Sequence, residues 1–268
     1  MARDHYENFP VASWLLPKAL RKPVSVIYAF ARTADDFADE GDATPEARLA
    51  QLADYERALL NAANNNPNED PVFIALADVM NNDPLLLQPL QDLLIAFRAD
   101  VTTKNYQTTE QLLQYCRYSA NPVGRLILQL SGHDSTQNLL YSDAICSALQ
   151  LINFLQDIDI DYQDKQRLYL PLDDMKKFSV SESDIAQGQN SPQLAQCVNH
   201  QIDRAHNMLM AGKPLGRALP GRLGLEIRLT LSGGLQVIKA LRRRRNIFTQ
   251  PLLRSHDWLI IASRAVFT

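Results

Sequence analysis

The sequence predicts an all-α protein, and three observations carry that expectation. Long segments rich in Ala, Leu and Gln place apolar residues at three- and four-residue spacing, and alternating Val/Ile/Thr runs between turn signals are nearly absent. The Asn- and Pro-rich stretches NNNPNEDP (64–71) and GQNSP (188–192) fall between periodic segments, where Asn, Gly and Pro favour turns over continued helix.

In chain order, helices are expected over 23–40, 45–64, 70–80, 84–101, 108–132, 139–163, 191–211, 222–244 and 255–265. The first is PVSVIYAFARTADDFADE, and NNNPNEDP separates the second from the third. GQNSP leads into the seventh. Glycines 212, 216, 221 and 224 in GKPLGRALPGRLGLE follow no expected strand and fit no phosphate-loop spacing, so they mark helix-to-helix turns. The run Arg242 to Arg245 closes the eighth helix and reads first as a solvated terminus that complements the helix dipole, with contact to anionic lipid as the alternative.

With 268 residues, 46% hydrophobic and 21% charged, the chain is long enough for one large core and too apolar for disorder, and neither loop is long enough to divide it into domains. A single domain over residues 1–268 is expected. A net charge of −3 gives no global attraction for nucleic acid. Cys116, Cys146 and Cys197 are odd in number and lack the spacing of zinc sites or disulfide frameworks, which points to a reducing cytoplasm. MARDHYENFP has no apolar signal core, and no stretch reaches the roughly 18 apolar residues of a membrane span.

The acids are spaced rather than scattered. On a helix advancing about 100° per residue, Tyr28, Arg32, Asp35 and Asp39 form one stripe, whereas Asp36 lies about 100° away. In LQLINFLQDIDIDYQDKQRLYLP (149–171), Gln150, Asn153, Asp157 and Asp161 form a second stripe, bordered by Leu149, Ile160, Phe154 and Ile158. Apolar borders do not suit a face open to bulk water, so the two stripes are expected to face each other across an internal cavity. Two carboxylates some 6 Å apart repel by roughly 3 kcal/mol at an effective dielectric of 20, so the cluster needs cations. Four all-oxygen donors suit Mg²⁺, which takes one or two carboxylates together with phosphate oxygens. Arg32 and Arg167 are candidates to meet diphosphate oxygens, although carboxylate pairing suits either arginine equally.

HYENFPVASWLLP, RKPVSVIYAFARTADDFADE, YCRYSANPVGRL (115–126), NFLQDIDID and RLYLP resemble, in that order, the squalene/phytoene synthase family, the head-to-head prenyl synthases of the all-α isoprenoid fold. The resemblance implies a helical bundle around a central cavity. It also implies that Asp35, Asp39, Asp157 and Asp161 hold two or three Mg²⁺ ions on a prenyl diphosphate, with His5, Arg32, Asn153 and Arg167 around it. Tyr28, Phe9, Gln150, Phe154 and the segment Tyr115 to Gly124, with Ala120, would shape the pocket, and Tyr28, Phe9 and Phe154 are candidates for cation–π contact.

NFLQD, SANPVGRL and NFPVAS look most like the hydroxysqualene synthase branch, which implies presqualene diphosphate as substrate. The implied steps are ionisation, rearrangement of a cyclopropylcarbinyl cation and capture by water, without NADPH. Presqualene diphosphate, squalene and dehydrosqualene/phytoene synthases are the rival enzymes, and a non-catalytic helical assembly protein is the rival of another class. Peripheral membrane contact is expected from a C30 substrate, without an anchor in the chain. The chain departs from the family pattern at Gln156 (usually Arg), Glu7 (Lys), Asn8 (Ser), Gln166 (Gly) and Gly234 (often Tyr). It also carries one extra residue between Asp161 and Arg167.

Overall fold

A computed structural model describes residues 16–251, 253 and 255–267. The first half comprises α1 (Lys18–Asp39), α2 (Pro45–Ala63), α3 (Pro71–Asn82), α4 (Leu87–Thr102), α5 (Thr109–Ser119), α6 (Asn121–Leu130) and α7 (Thr136–Gln156). It continues with α8 (Ile158–Lys165), α9 (Leu172–Lys177), α10 (Glu182–Ala186), α11 (Pro192–Gly212), α12 (Leu215–Ala218), α13 (Gly221–Arg243) and α14 (Ser255–Phe267). Among the described residues, β structure is confined to one isolated parallel bridge between Asn105 and Leu168. The all-α expectation holds.

Helix starts follow side-chain chemistry. Thr44, Asp70, Thr108, Ser135 and Ser191 each accept a hydrogen bond from an otherwise unpaired amide of the first turn. Three expectations are corrected. The helix expected over 108–132 is two, α5 and α6, because Pro122 has no amide to continue the ladder through Ala120. The helix expected over 139–163 breaks at Asp157 (φ −109°, ψ 20°), where neither Pro nor Gly marks the place. The short helices α9, α10 and α12 span six, five and four residues, too few to show a helical period.

The apolar faces gather into two cores. The first joins α1 to α4 around Phe30, which stacks on Tyr55 at 5.0 Å between ring centroids and meets Phe73 edge-on at 6.3 Å. The second is built mainly by α5 to α13, with α11 packed along α7. Two helices serve both cores: α4 gives Leu94 to the first and Ala96 to the second, and α6 gives Leu126 and Leu128 in the same way. The close approach of α6 to α7 depends on Gly124, where an added Cβ would collide with the Ser142 and Cys146 side chains. The three cysteines are free and buried, and burial pushes each thiol up to about 12. No described helix is long and apolar enough to cross a membrane.

Candidate active site at the seam between the two cores

Asp35 and Asp39 project from α1, on the first core, and Asp161 from α8, on the second. The turn after α8 joins them. Gln166 adopts a left-handed conformation (φ 52°), which only a local turn demands of a non-glycine residue. The Arg167 amide then donates to the Asp161 carbonyl at 2.9 Å, and the Leu168 amide to the Lys104 carbonyl at 2.8 Å. That turn closes the span from Asp161 to Arg167. It sets the Arg167 side chain, 7% exposed, against the end of α4 and the acids of α1.

Arg167 donates to Asp39 through both Nη atoms, at 2.6 and 3.2 Å, and to the Asp100 carbonyl at 2.7 Å. Lys165 Nζ donates to the same Asp39 carboxylate at 2.8 Å. The first stripe is thus tied to the second element by a bidentate pair, the strongest kind of charge-assisted contact. Arg32 spends its charge on its own helix, meeting Asp35 at 3.3 Å, Asp36 at 2.8 Å and Glu40 at 2.6 Å. Arg32, like Arg167, thus pairs with carboxylates in this structure.

Electrostatics separate the acids. Burial opposes ionisation of Asp39, yet the hydrogen bonds and charges of Arg167 and Lys165 pull its pKa below the usual range. Burial and the Asp39 charge raise Asp35. Burial raises Asp157 against a hydrogen bond donated by Gln250. Asp161 is pushed up to about 7 by burial and the charges of Asp157 and Asp39, with Lys165 and Arg167 opposing. Three of the four carboxylates are thus harder to ionise than a free one, chiefly because they are withdrawn from water.

Aromatic rings line the floor. Phe154 lies on Tyr169 at 3.7 Å with planes 4° apart, and Tyr115 stands within 6.1 Å of both rings. Tyr106 completes the group, 5.9 Å from Tyr169. The Tyr115 hydroxyl donates to the Asp100 carboxylate at 2.7 Å. Burial carries Asp100 to about 7, against Arg167 and that hydroxyl. The space beside Phe154, Asp161, Arg167 and Tyr169 is about 10 Å³, roughly the room of a single water.

The remaining expected residues take varied places. Gln150 and Asn153 are half-buried on α7, and the Asn153 carbonyl accepts the Asp157 amide at 3.1 Å. Tyr28 is 36% exposed on α1. Ala120 is buried at the α5–α6 junction, and Gly124 serves the α6–α7 contact. His5 and Phe9 lie outside the described residues. At Gly234 an added Cβ would stand only 3.0 Å from Leu209 and 3.1 Å from Leu149, whereas at Gly233 it would meet nothing within 4 Å. A Cβ is therefore accommodated freely one residue before the position expected and only tightly at that position. Arg244 corrects the reading of its run as a solvated end: its Nη1 donates to the Leu155 carbonyl at the break after α7, and burial lowers its pKa to about 10.

Sequence reasoning missed Lys165, Asp100, Tyr106, Tyr169 and Gln250. Asp100 left one signal, an acid in the last turn of a helix, where the dipole disfavours it.

Among the described residues no three His, Cys, Asp or Glu side chains are gathered around one metal position; the acids flank the seam instead. Their chemistry still suits a hard divalent cation. All the candidate donors are carboxylate oxygens, and the pKa values of Asp35 and Asp161 are raised first by burial and further by neighbouring carboxylates, both of which such a cation would offset.

The helical fold, with acids on both sides of the seam beside buried Arg167 and exposed Lys165, is that of an isoprenoid synthase. The squalene/phytoene synthase family model matches residues 2–258. Hydroxysqualene synthase of Rhodopseudomonas palustris is 34% identical over 97% of this chain and 88% of its own length. That of Zymomonas mobilis is 37% identical over 82% and 74%. The crystal structure of squalene synthase HpnC from Alicyclobacillus acidocaldarius superposes with a TM-score of 0.83 at 35% identity, covering 91% of this chain and 90% of that one. The chain belongs to the squalene/phytoene synthase family, whose members are isoprenoid synthases acting on prenyl diphosphates.

Proposed function

We propose that this protein is a hydroxysqualene synthase, converting presqualene diphosphate and water to hydroxysqualene and diphosphate. The observation that carries the reading is the tie across the seam, Asp39 to Arg167 and Lys165, which sets the two acid stripes against each other. Curated relatives with that name, aligned over most of their length, support the branch.

In this reading Asp35, Asp39, Asp157 and Asp161 hold Mg²⁺ beside the substrate diphosphate. The bound metal supplies electrostatic stabilisation of the leaving diphosphate. Arg167 and Lys165 present their donors to the diphosphate oxygens as the carbon–oxygen bond breaks, with both bonding electrons leaving on oxygen. Arg32 adds a third positive charge on the rim. Phe154 and Tyr169, which line the space beside Asp161 and Arg167, border the resulting carbocation in this reading and offer no strong nucleophile, because burial pushes the Tyr169 pKa far up and keeps it neutral. Water then adds to the rearranged cation and loses a proton, so that diphosphate and hydroxysqualene leave in equal amounts. No nicotinamide cofactor enters this sequence.

The test is product analysis by mass after incubation of the purified protein and Mg²⁺ with presqualene diphosphate. Hydroxysqualene is the expected product. Formation of presqualene diphosphate or a C30 hydrocarbon from farnesyl diphosphate alone would replace this reading with the condensing synthases of the same family.

A further inference from the structure

Two adjoining cavities open on the face built by α11, α12, α13 and α14, and neither shares a lining residue with the acid seam. The first has a volume of about 590 Å³ and the second about 450 Å³, and Met210, Leu235 and Arg264 line both. The floor is apolar: Leu209 and Leu231 lie in the first, Ile238 in the second, and Leu235 between them.

The walls carry one sign of charge. Lys213, Arg217 and Arg228 line the first cavity, Lys239, Arg242 and Arg243 the second, and no Asp or Glu lines either. In a chain of net charge −3 this segregation is local. Asp203 meets Arg242 at 2.6 Å. Arg228 gives its hydrogens to the Gly216 and Ala265 carbonyls, which satisfies its donors without neutralising its charge.

Together these features describe a site for an amphiphile with an anionic head and a hydrocarbon tail. Each volume lies within the roughly 300–1,000 Å³ of small-molecule pockets, deeper than a flat face for a protein partner. No Phe, Tyr or Trp, the broadest platforms for stacking nucleic-acid bases, lines either cavity. On the helix that contributes Arg264, Trp258 and Leu259 are 54% and 73% exposed, the kind of outward apolar residues that enter a bilayer interface. We infer that this groove seats an anionic phospholipid of a membrane surface, its phosphate among Lys213, Lys239 and Arg243 and an acyl chain along Leu209, Leu231 and Leu235. Attachment of this kind is peripheral and strengthened by anionic lipid. It is independent of the reaction proposed for the seam.

The experiment is vesicle flotation of the full chain with phosphatidylcholine alone and with phosphatidylcholine containing one third phosphatidylglycerol. Alongside it, calorimetry follows titration with lyso-phosphatidylglycerol below its micellar concentration. The protein should partition at least tenfold better onto the anionic vesicles and bind the lysolipid saturably. Lys213→Glu, Lys239→Glu and Arg243→Glu should each weaken partitioning on the order of fivefold. Met210→Ser, which changes the shared wall without changing charge, should weaken lysolipid binding severalfold. All four variants should keep the helical circular dichroism signal and the turnover measured in detergent. Equal partitioning onto both vesicles, or lysolipid binding indifferent to all four substitutions, would overturn the inference. So would displacement of the lysolipid by farnesyl diphosphate, which would make the groove a prenyl diphosphate site, or by an acidic amphipathic peptide, which would make it a protein interface.

Discussion

Asp174 is a buried carboxylate and the acids of the seam are half-buried ones, and their surroundings treat them in opposite ways. Asp174 accepts from Thr109 at 3.1 Å, Gln201 at 2.6 Å and Arg204 at 3.1 Å, tying α9 to α5 and α11. Burial opposes its ionisation, but these donors hold its pKa below the ordinary value. Asp35, Asp157 and Asp161 are raised instead, chiefly by burial. Where folding uses a carboxylate, the chain supplies matching donors. Where donors are fewer, burial leaves the carboxylate harder to ionise, and that is the setting in which the proposed cation would bind. Asp39 stands between the two cases, since Arg167 and Lys165 satisfy it while bridging the cores.

Substitution should separate the two kinds of acid. Asp35→Asn and Asp157→Asn should each lower kcat roughly a hundredfold or more, the scale for losing electrostatic stabilisation of a leaving group. Thermal melting should stay close to wild type; near-normal turnover in either variant would break the contrast. Asp174→Ala should do the reverse, costing about 3 kcal/mol in urea unfolding because it leaves Arg204 without its carboxylate. Turnover per folded molecule should not change. Gly124→Ala, which intrudes on Ser142 and Cys146 away from either acid group, should cost about 1–3 kcal/mol by overpacking.

Acidity sharpens the same contrast. The folded pKa of Asp174 lies below its ordinary 3.8, so its stabilisation is present above that value and is lost as the pH falls through the folded pKa. Asp100 titrates near 7 in the folded protein, so between 3.8 and 7 the folded state holds a proton that the unfolded chain has released. Its effect on stability therefore declines as the pH rises through that window. Calorimetric Tm values at pH 5 and pH 8 should show Asp100→Asn improving relative to wild type at the higher pH. A difference independent of pH would contradict the assignment. The smallest effect is expected from Gln250→Ala, which removes one donor from Asp157 and should change kcat only a few-fold.

The fold class and the directions of the acids were legible because both follow from helical spacing. Asp35 and Asp39 share a face with Arg32, and Asp157 and Asp161 remain one turn apart, with the Asp161 amide donating to the Asp157 carbonyl at 2.8 Å. The partners across the seam were not legible, since Lys165 and Arg167 reach Asp39 from more than 120 residues away. Nor was the break at Asp157, whose surroundings rather than a breaker residue bend the chain: Arg244 and Gln250 arrive there from beyond α13. A run of four arginines reads as a solvated helix end, and only packing distinguishes Arg244, which the end of α7 takes up, from its exposed neighbours Arg243 and Arg245. The one-residue difference between Gly234 and Gly233 likewise depends on where Leu149 and Leu209 stand.

The central claim, that the acids of the seam jointly hold metal-bound diphosphate, is tested most directly by calorimetric titration of inorganic diphosphate. The wild-type protein and an Asp35→Asn/Asp157→Asn variant would each be titrated with and without Mg²⁺. Saturable binding is predicted for the wild type in Mg²⁺ only, weakened at least tenfold in the folded variant. Equal affinity in the two proteins, or binding indifferent to Mg²⁺, would contradict it.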